Sequence, residues 1–517
     1  MLSSIIRSKP YQTICTILFG LLLIGLPFTS VPLLTNIFGS MTGPLSAIPL
    51  VILMLIWLLP YLLRRGSLPS EILPLLYFSL IALIISGGAF FLDGFYSRGR
   101  DFFDQSLRAF ITLGIGLSFY ITLTAYMSQR RSIIRKALIF LYIGGTLNII
   151  WSLFEIYLFQ TRGSVQYFPQ WVLDLKSALV FQIPGIQYSY RLTGFAYEPS
   201  WFVLFFDLTL FPLWLSAVFQ RKSLFNFRLW IFQIEDFLLP LGVIAFAFGY
   251  PRIALIALFV GLIYLGLIGI NKLYQKIYRW LCNQKRIGFH DTLIFKVLLA
   301  LLLILFFASI IIGVTAAFVQ IASQGDYRYQ LLIDQLQSGD LLDFELTETN
   351  IILLARRLAF YERTLFWYGG WRIFGDYPFG VGVGNAGFYF VDRLNSLGYG
   401  SYEVRNLLYQ ANNIINVKSL WVRLLAETGI IGFITYLTWV YLLWRSSGFI
   451  RKSRDPLMKI VGLGGQIFIL AYIVEGFSVD SFAIPYQWII ASLISASALV
   501  LRKERIADRL SAAKEYT

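Results

Sequence analysis

Apolar residues in this chain do not alternate with polar ones but gather into runs of the length that crosses a bilayer. A span needs about 20 predominantly apolar residues. Such runs recur at roughly 11–29, 44–63, 71–92, 109–128, 137–158, 201–220, 229–250, 253–271, 297–321, 424–444, 460–475 and 482–501. Each predicts a helix, because backbone polar groups in lipid must be satisfied within the segment itself or in a closed barrel. The pattern predicts an all-α polytopic membrane protein of about 12 transmembrane helices, with residues 1–517 forming one integral membrane domain. The opening MLSSIIRSKP could begin a signal peptide, but no clear small-residue cleavage site follows it, so the first run is read as a retained span.

Charge orients the threading. With the N-terminus in the cytoplasm, Lys and Arg concentrate in the loops on that side, as basic residues near span ends should. Both termini are then cytoplasmic. Composition agrees: 57% of the 517 residues are hydrophobic and 14% charged, with a mean hydropathy of +0.69. Intrinsic disorder, a secreted disulfide scaffold and nucleic-acid binding are excluded as main themes. The net charge of +15 reports cytoplasmic loops facing anionic lipid, with no need for a nucleic-acid partner. Two cysteines, Cys15 and Cys282, and one histidine, His290, are too few for a disulfide framework or most zinc and histidine chemistry.

Two connections are long, 159–200 and 322–423, and both fall outside the cytoplasm in this threading. Long ordered loops are usually functional. The larger one reads as a cap on the membrane surface, with a helix expected over 350–374 and a glycine-rich turn after it.

Four stations on that outer side could carry chemistry. The first runs from Arg191 through Gly194 to Glu198-Pro199, at the start of the sixth span, and reads either as an interfacial turn with a local ion pair or as a site. The second is Gly249-Tyr250-Pro251-Arg252, a connection too short to lift Arg252 from the surface. A lone arginine there suggests a fixed anionic target, or a snorkelling side chain. The third holds Arg356, Arg357 and Arg363, followed by Gly380, Gly382 and Gly384. Arg356 and Arg363 are seven apart and would share one helix face. The glycines permit a tight backbone whose amides could meet an anion. The fourth runs from Lys418 to Glu427, with Arg423 one helical turn before that carboxylate as its local partner.

Together these stations resemble the bacterial O-antigen ligase and O-antigen polymerase superfamily. The text that carries the resemblance is RLTGFAYEP, then GYPRIAL, the Arg363 segment before PFGVGVGN, and LLAETGIIG. It implies a GT-C-like glycosyltransferase that uses no metal or other cofactor and takes a polyprenyl-diphosphate-linked oligosaccharide as donor outside the bacterial cytoplasmic membrane. By position, Arg252 and Arg363 would bind the diphosphate, with Arg191 lining the same pocket. Guanidinium forks suit that task. Membrane lipids and a chain-length regulator are the other partners the resemblance implies.

One departure matters. The ligases of this superfamily carry a histidine followed by asparagine nine residues before the last glutamate, where this chain has Lys418 and Ser419. The departure favours the polymerase branch over a ligase. It leaves Glu198 and Lys418 as candidate catalytic groups, the carboxylate being ionised at neutral pH. A lipid-linked-sugar flippase is the alternative of another class, but it would want basic residues inside the spans. Tyr188, Tyr190, Trp367, Trp371 and Tyr389 could stack on sugars, although aromatic residues are expected at a membrane interface anyway.

Overall fold

The computed structural model describes residues 8–38, 43–92, 96–181, 191–225, 228–250, 252–283, 293–323, 327–338, 348–357, 360–394, 397, 399–411 and 413–515. Each apolar run coincides with a helix. In chain order these are α1 (Lys9–Ile24), α2 (Ala47–Leu63), α3 (Leu73–Leu92), α4 (Phe102–Met127), α5 (Arg131–Arg162), α6 (Pro199–Gln220), α7 (Ile234–Ala247), α8 (Ile253–Asn283) and α9 (Leu293–Ser323). Three helices of the long connection follow: α10 (Tyr327–Ser338), α11 (Glu348–Arg357) and α12 (Tyr361–Asp376). The chain ends with α13 (Leu420–Arg451), α14 (Pro456–Glu475) and α15 (Pro485–Glu515). Among the described residues, the only paired strands are two short antiparallel hairpins, Tyr96–Ser97 with Arg100–Asp101 and Arg228–Leu229 with Phe232–Gln233. The chain is an all-α multi-pass membrane protein.

Seven described helices are long and apolar enough to cross a membrane: α3, α4, α5, α6, α8, α13 and α14. The sequence count of about 12 also includes shorter helices such as α1, with 16 residues, and α7, with 14. At 1.5 Å per residue, α7 alone reaches about 21 Å, short of a ~30 Å hydrocarbon core.

Burial sorts the bundle. Most of the apolar window of α6 is buried, 89%, against 33% for the Ser70–Phe91 helix. So α6 is the central column, packed on α14, which also contacts α8 and α13. Pro212 lies two residues beyond a π-helical turn at Phe206–Leu210, inside α6. Pro has no amide to donate, and a widened turn absorbs the missing bond. Leucine and isoleucine side chains on α3, α8 and α9 stay exposed (Leu83, Ile84, Ile256, Leu302 and Leu305), the face lipid would cover.

The long connection folds around a core of its own, with Phe366, Tyr389, Phe390, Val404 and Leu408 at its centre. That cluster continues into Ala89, Phe102 and Ala426 of the bundle. One helix was expected over 350–374. The structure divides it into α11 and α12, with Phe360 in a non-helical conformation before Tyr361. Arg356 and Arg363 therefore sit on different helices and do not share a face. The spacing argument holds only along an unbroken helix.

Candidate functional site

The arginine-bearing stations converge where several helices begin or end. Arg191 and Glu198 precede α6, and Glu198 is the residue before its first turn, with Pro199 at the first helical position. Pro is at home there because that amide has no helical partner. The approach segment is pinned from behind by α5. Lys176 donates to Glu155 at 2.5 Å and to Thr193 Oγ1 at 2.8 Å, while Glu155 accepts from the Gly194 amide at 3.1 Å. Glu155 is buried, with a side-chain exposure of 1%, and Lys176 is partly buried at 11%. This buried network fixes the chain two residues after Arg191.

Arg191 donates to the carbonyls of Gly249 (3.0 Å) and Tyr250 (3.4 Å), tying the first station to the second. Arg252 follows, its guanidinium 4.0 Å from the Phe360 ring centroid. The planar cation rests on an aromatic face, and that face belongs to the residue before α12. Arg363, one turn into α12, donates to the Ser478 carbonyl and Oγ, both at 2.9 Å. Lys418 stands just before α13, and its carbonyl accepts from Trp367 Nε1 at 3.3 Å.

All five residues line one cavity of about 440 Å³: Arg191, Glu198, Arg252, Arg363 and Lys418. Sequence reasoning had not singled out three others at its rim, Arg328, Ser478 and Asp480. Glu475, the last residue of α14, also lines it. No local pattern marks Arg328 or Asp480; only the tertiary fold brings them here. The walls hold five basic and three acidic side chains, so the cavity is positive on balance but not uniformly so. Burial pushes the Arg363 guanidinium below its usual range, while Asp480, Glu475, Glu198 and Glu403 pull it back up. Glu475 Oε1 and Asp480 Oδ2 are buried without a hydrogen-bond partner. Buried polar atoms of that kind need a partner, and both residues face this cavity.

Two residues at the cavity depart from ordinary backbone geometry. Tyr250 (φ 49°) and Lys418 (φ 61°) are left-handed without being glycine. Such conformations cost about 1–3 kcal/mol and concentrate at functional sites.

A second cavity of about 650 Å³ adjoins the first and shares Arg252, Arg328, Phe360 and Arg363 with it. Its other walls include Arg356, Glu362, Ser401, Tyr402 and Glu403. Burial and the neighbouring Glu362 push the Glu403 carboxyl upward, against the pull of Lys418 and Arg363.

Gly380, Gly382, Gly384 and Glu427 line neither of these two cavities. The glycine turn has another task. The backbone of α13 breaks at Gly429 (φ 60°, ψ −169°). Its freed carbonyls are met by the turn: Val381 donates to Ala426 at 3.0 Å and Gly382 to Glu427 at 2.9 Å, while Ile430 donates to Pro378 at 3.1 Å. The Val383 amide goes to Ser86 Oγ at 2.9 Å. The expectation that these amides meet an anion is thus overturned for Val381, Gly382 and Val383, whose donors are used within the protein. Glu427 pairs with Arg423 at 2.8 Å, both almost fully buried, as the local reading expected.

Of the aromatic candidates, Tyr389 is buried in the cap core and Trp371 is exposed, and neither lines these cavities. Tyr188, Tyr190 and His290 lie outside the described residues. Among the described residues no group of three or more His, Cys, Asp or Glu is placed to hold a metal ion.

No curated protein matches this chain. Residues 237–437 match the family model described as O-Antigen ligase. That segment contains Arg252, Arg363, Lys418 and Glu427, and its match supports the O-antigen ligase and polymerase superfamily.

Proposed function

We propose that the chain is a polysaccharide polymerase of the cell envelope. It joins polyprenyl-diphosphate-linked oligosaccharide repeats on the outer face of the bacterial cytoplasmic membrane. The observation that carries this reading is the single cavity where Arg191, Arg252 and Arg363 meet Glu198 and Lys418. The donor's diphosphate lies against the guanidinium groups. The acceptor hydroxyl attacks the anomeric carbon, the bond from that carbon to the diphosphate oxygen breaks, and the polyprenyl diphosphate leaves. Fixed cations placed where the negative charge develops lower that barrier, and the arginines need no divalent ion to do so. Glu198, steadied by the Ser200 hydroxyl at 2.9 Å, takes the hydroxyl proton. Lys418 makes a further contact to phosphate or sugar.

Alanine at Arg252 or Arg363 should abolish polymer formation while membrane insertion persists. Lysine at either site should restore only part of it, because a point charge replaces a planar fork. Full activity in both alanine variants would discard the diphosphate clamp.

A second reading, a ligase that transfers glycan from the lipid carrier to a lipid or protein acceptor, is favoured by the match of residues 237–437 to the O-Antigen ligase family. Deleting the gene separates the two: single repeat units left on the carrier or surface mean a polymerase, and long chains stranded on the carrier mean a ligase.

A further inference from the structure

The two adjoining cavities differ in their aliphatic lining. The first is walled partly by Val203, Leu204, Ala254 and Ile484 at helix ends, a lining suited to the start of a lipid chain. The second lacks those residues. Apart from Arg252, its walls come from the connection between α9 and α13, and they carry two carboxylates, Glu362 and Glu403. Carboxylates accept hydrogen bonds from hydroxyl groups, and charged acceptors make the stronger bonds. Ser401, which donates to Glu362 at 3.4 Å, and the exposed Tyr402 ring complete a polar wall with one aromatic face. The shared arginines lie where the two cavities meet, so a diphosphate held there would abut both.

We propose that the second cavity binds the terminal sugar of the acceptor glycan, with Glu362 and Glu403 accepting hydrogen bonds from its hydroxyl groups. The inference rests on the glycosyl-transfer reading above. Lipid and diphosphate fill the first cavity, and the attacking hydroxyl arrives from the second.

The test uses the full-length protein purified in detergent and two probes, with affinities read by ligand-observed NMR. One probe is farnesyl diphosphate. The other is the lipid-free oligosaccharide repeat, released from the host's carrier by mild acid. The wild type should bind both. Glu403→Gln and Glu362→Gln should each weaken oligosaccharide binding by about tenfold and leave farnesyl diphosphate within twofold. Arg191→Ala, which touches only the first cavity, should do the reverse. A thermal-shift control confirms that the carboxamide variants fold. The inference is overturned by wild-type oligosaccharide affinity in both carboxamide variants, or by no oligosaccharide binding to the wild type at millimolar concentration. Oligosaccharide binding that depends on the glutamates, without any farnesyl diphosphate binding, supports the sugar site and counts against the diphosphate clamp alone.

Discussion

Single residues carry most of the chemistry, and two of them separate strain from function. Lys418 is held at φ 61° while its side chain lines the cavity. Asparagine tolerates that backbone and valine does not. Lys418→Asn should therefore keep the melting temperature of the wild type while polymer formation falls at least tenfold. Lys418→Val should lose activity and stability together, by about 1–3 kcal/mol. Equal loss of stability in both variants would make Lys418 a structural residue only. The Glu155–Lys176 pair makes the complementary case. Its members touch no cavity described above, yet they hold the chain beside Arg191. Removing one member leaves a buried, unpaired charge, so Lys176→Met should cost about 3–5 kcal/mol. The double change Lys176→Met with Glu155→Gln should recover part of that. A double-mutant cycle in thermal unfolding reads the coupling, and additive effects would show that the network does not fix the segment.

At the scale of elements, the break in α13 and the glycine turn are one device. A Cβ added at Gly429 would lie 2.4 Å from the Phe379 carbonyl carbon, and one at Gly380 would lie 2.5 Å from the Glu427 oxygen. Both positions also need a positive φ. Gly429→Ala and Gly380→Ala should each lower the melting temperature, and the double variant should lose less than the two losses combined, because both disrupt the same contact. Strictly additive losses would separate the kink from the turn. This device also marks how far the sequence could be read. The glycines at 380, 382 and 384 announced a tight backbone; their partners, Ala426 and Glu427, lie more than 40 residues away and have no local signature. The same limit applies to 350–374, where apolar periodicity ran through Phe360 although the chain breaks there to lay that ring under Arg252. Arg252 and Glu198 were legible because a charge at a span edge is conspicuous against an apolar background, and Arg363 because it interrupts an apolar helical stretch of the long connection. Arg328, Asp480 and Glu403 were not, since a polar residue in a polar loop carries no such contrast.

At the scale of the whole molecule, the cavity and a second set of basic residues lie at opposite ends of the helices. Glu198 begins α6 at the cavity, and Gln220 ends it at the other face, where its amide reaches the Lys459 carbonyl. Near that face Arg131 pairs with Asp455 and Glu504, and Arg502 pairs with Glu71. If basic loop residues mark the cytoplasm, the cavity opens outward. The weak point of that threading is α7, too short to span by itself. It starts beside Ser223 and Leu224, whose hydroxyl and amide bond Glu235, and it ends at Ala247, three residues before Tyr250 on the cavity. It therefore returns along the column that α6 descends, helped by the 228–233 hairpin. Labelling with a membrane-impermeant maleimide tests this directly. A cysteine at Lys222 or Ser453 should react only after the cells are permeabilised, whereas one at Thr161 should react in intact cells. If Lys222→Cys reacted in intact cells, the Gln220 end of α6 would face outward, and the arginine cavity at its other end would need a new assignment of side.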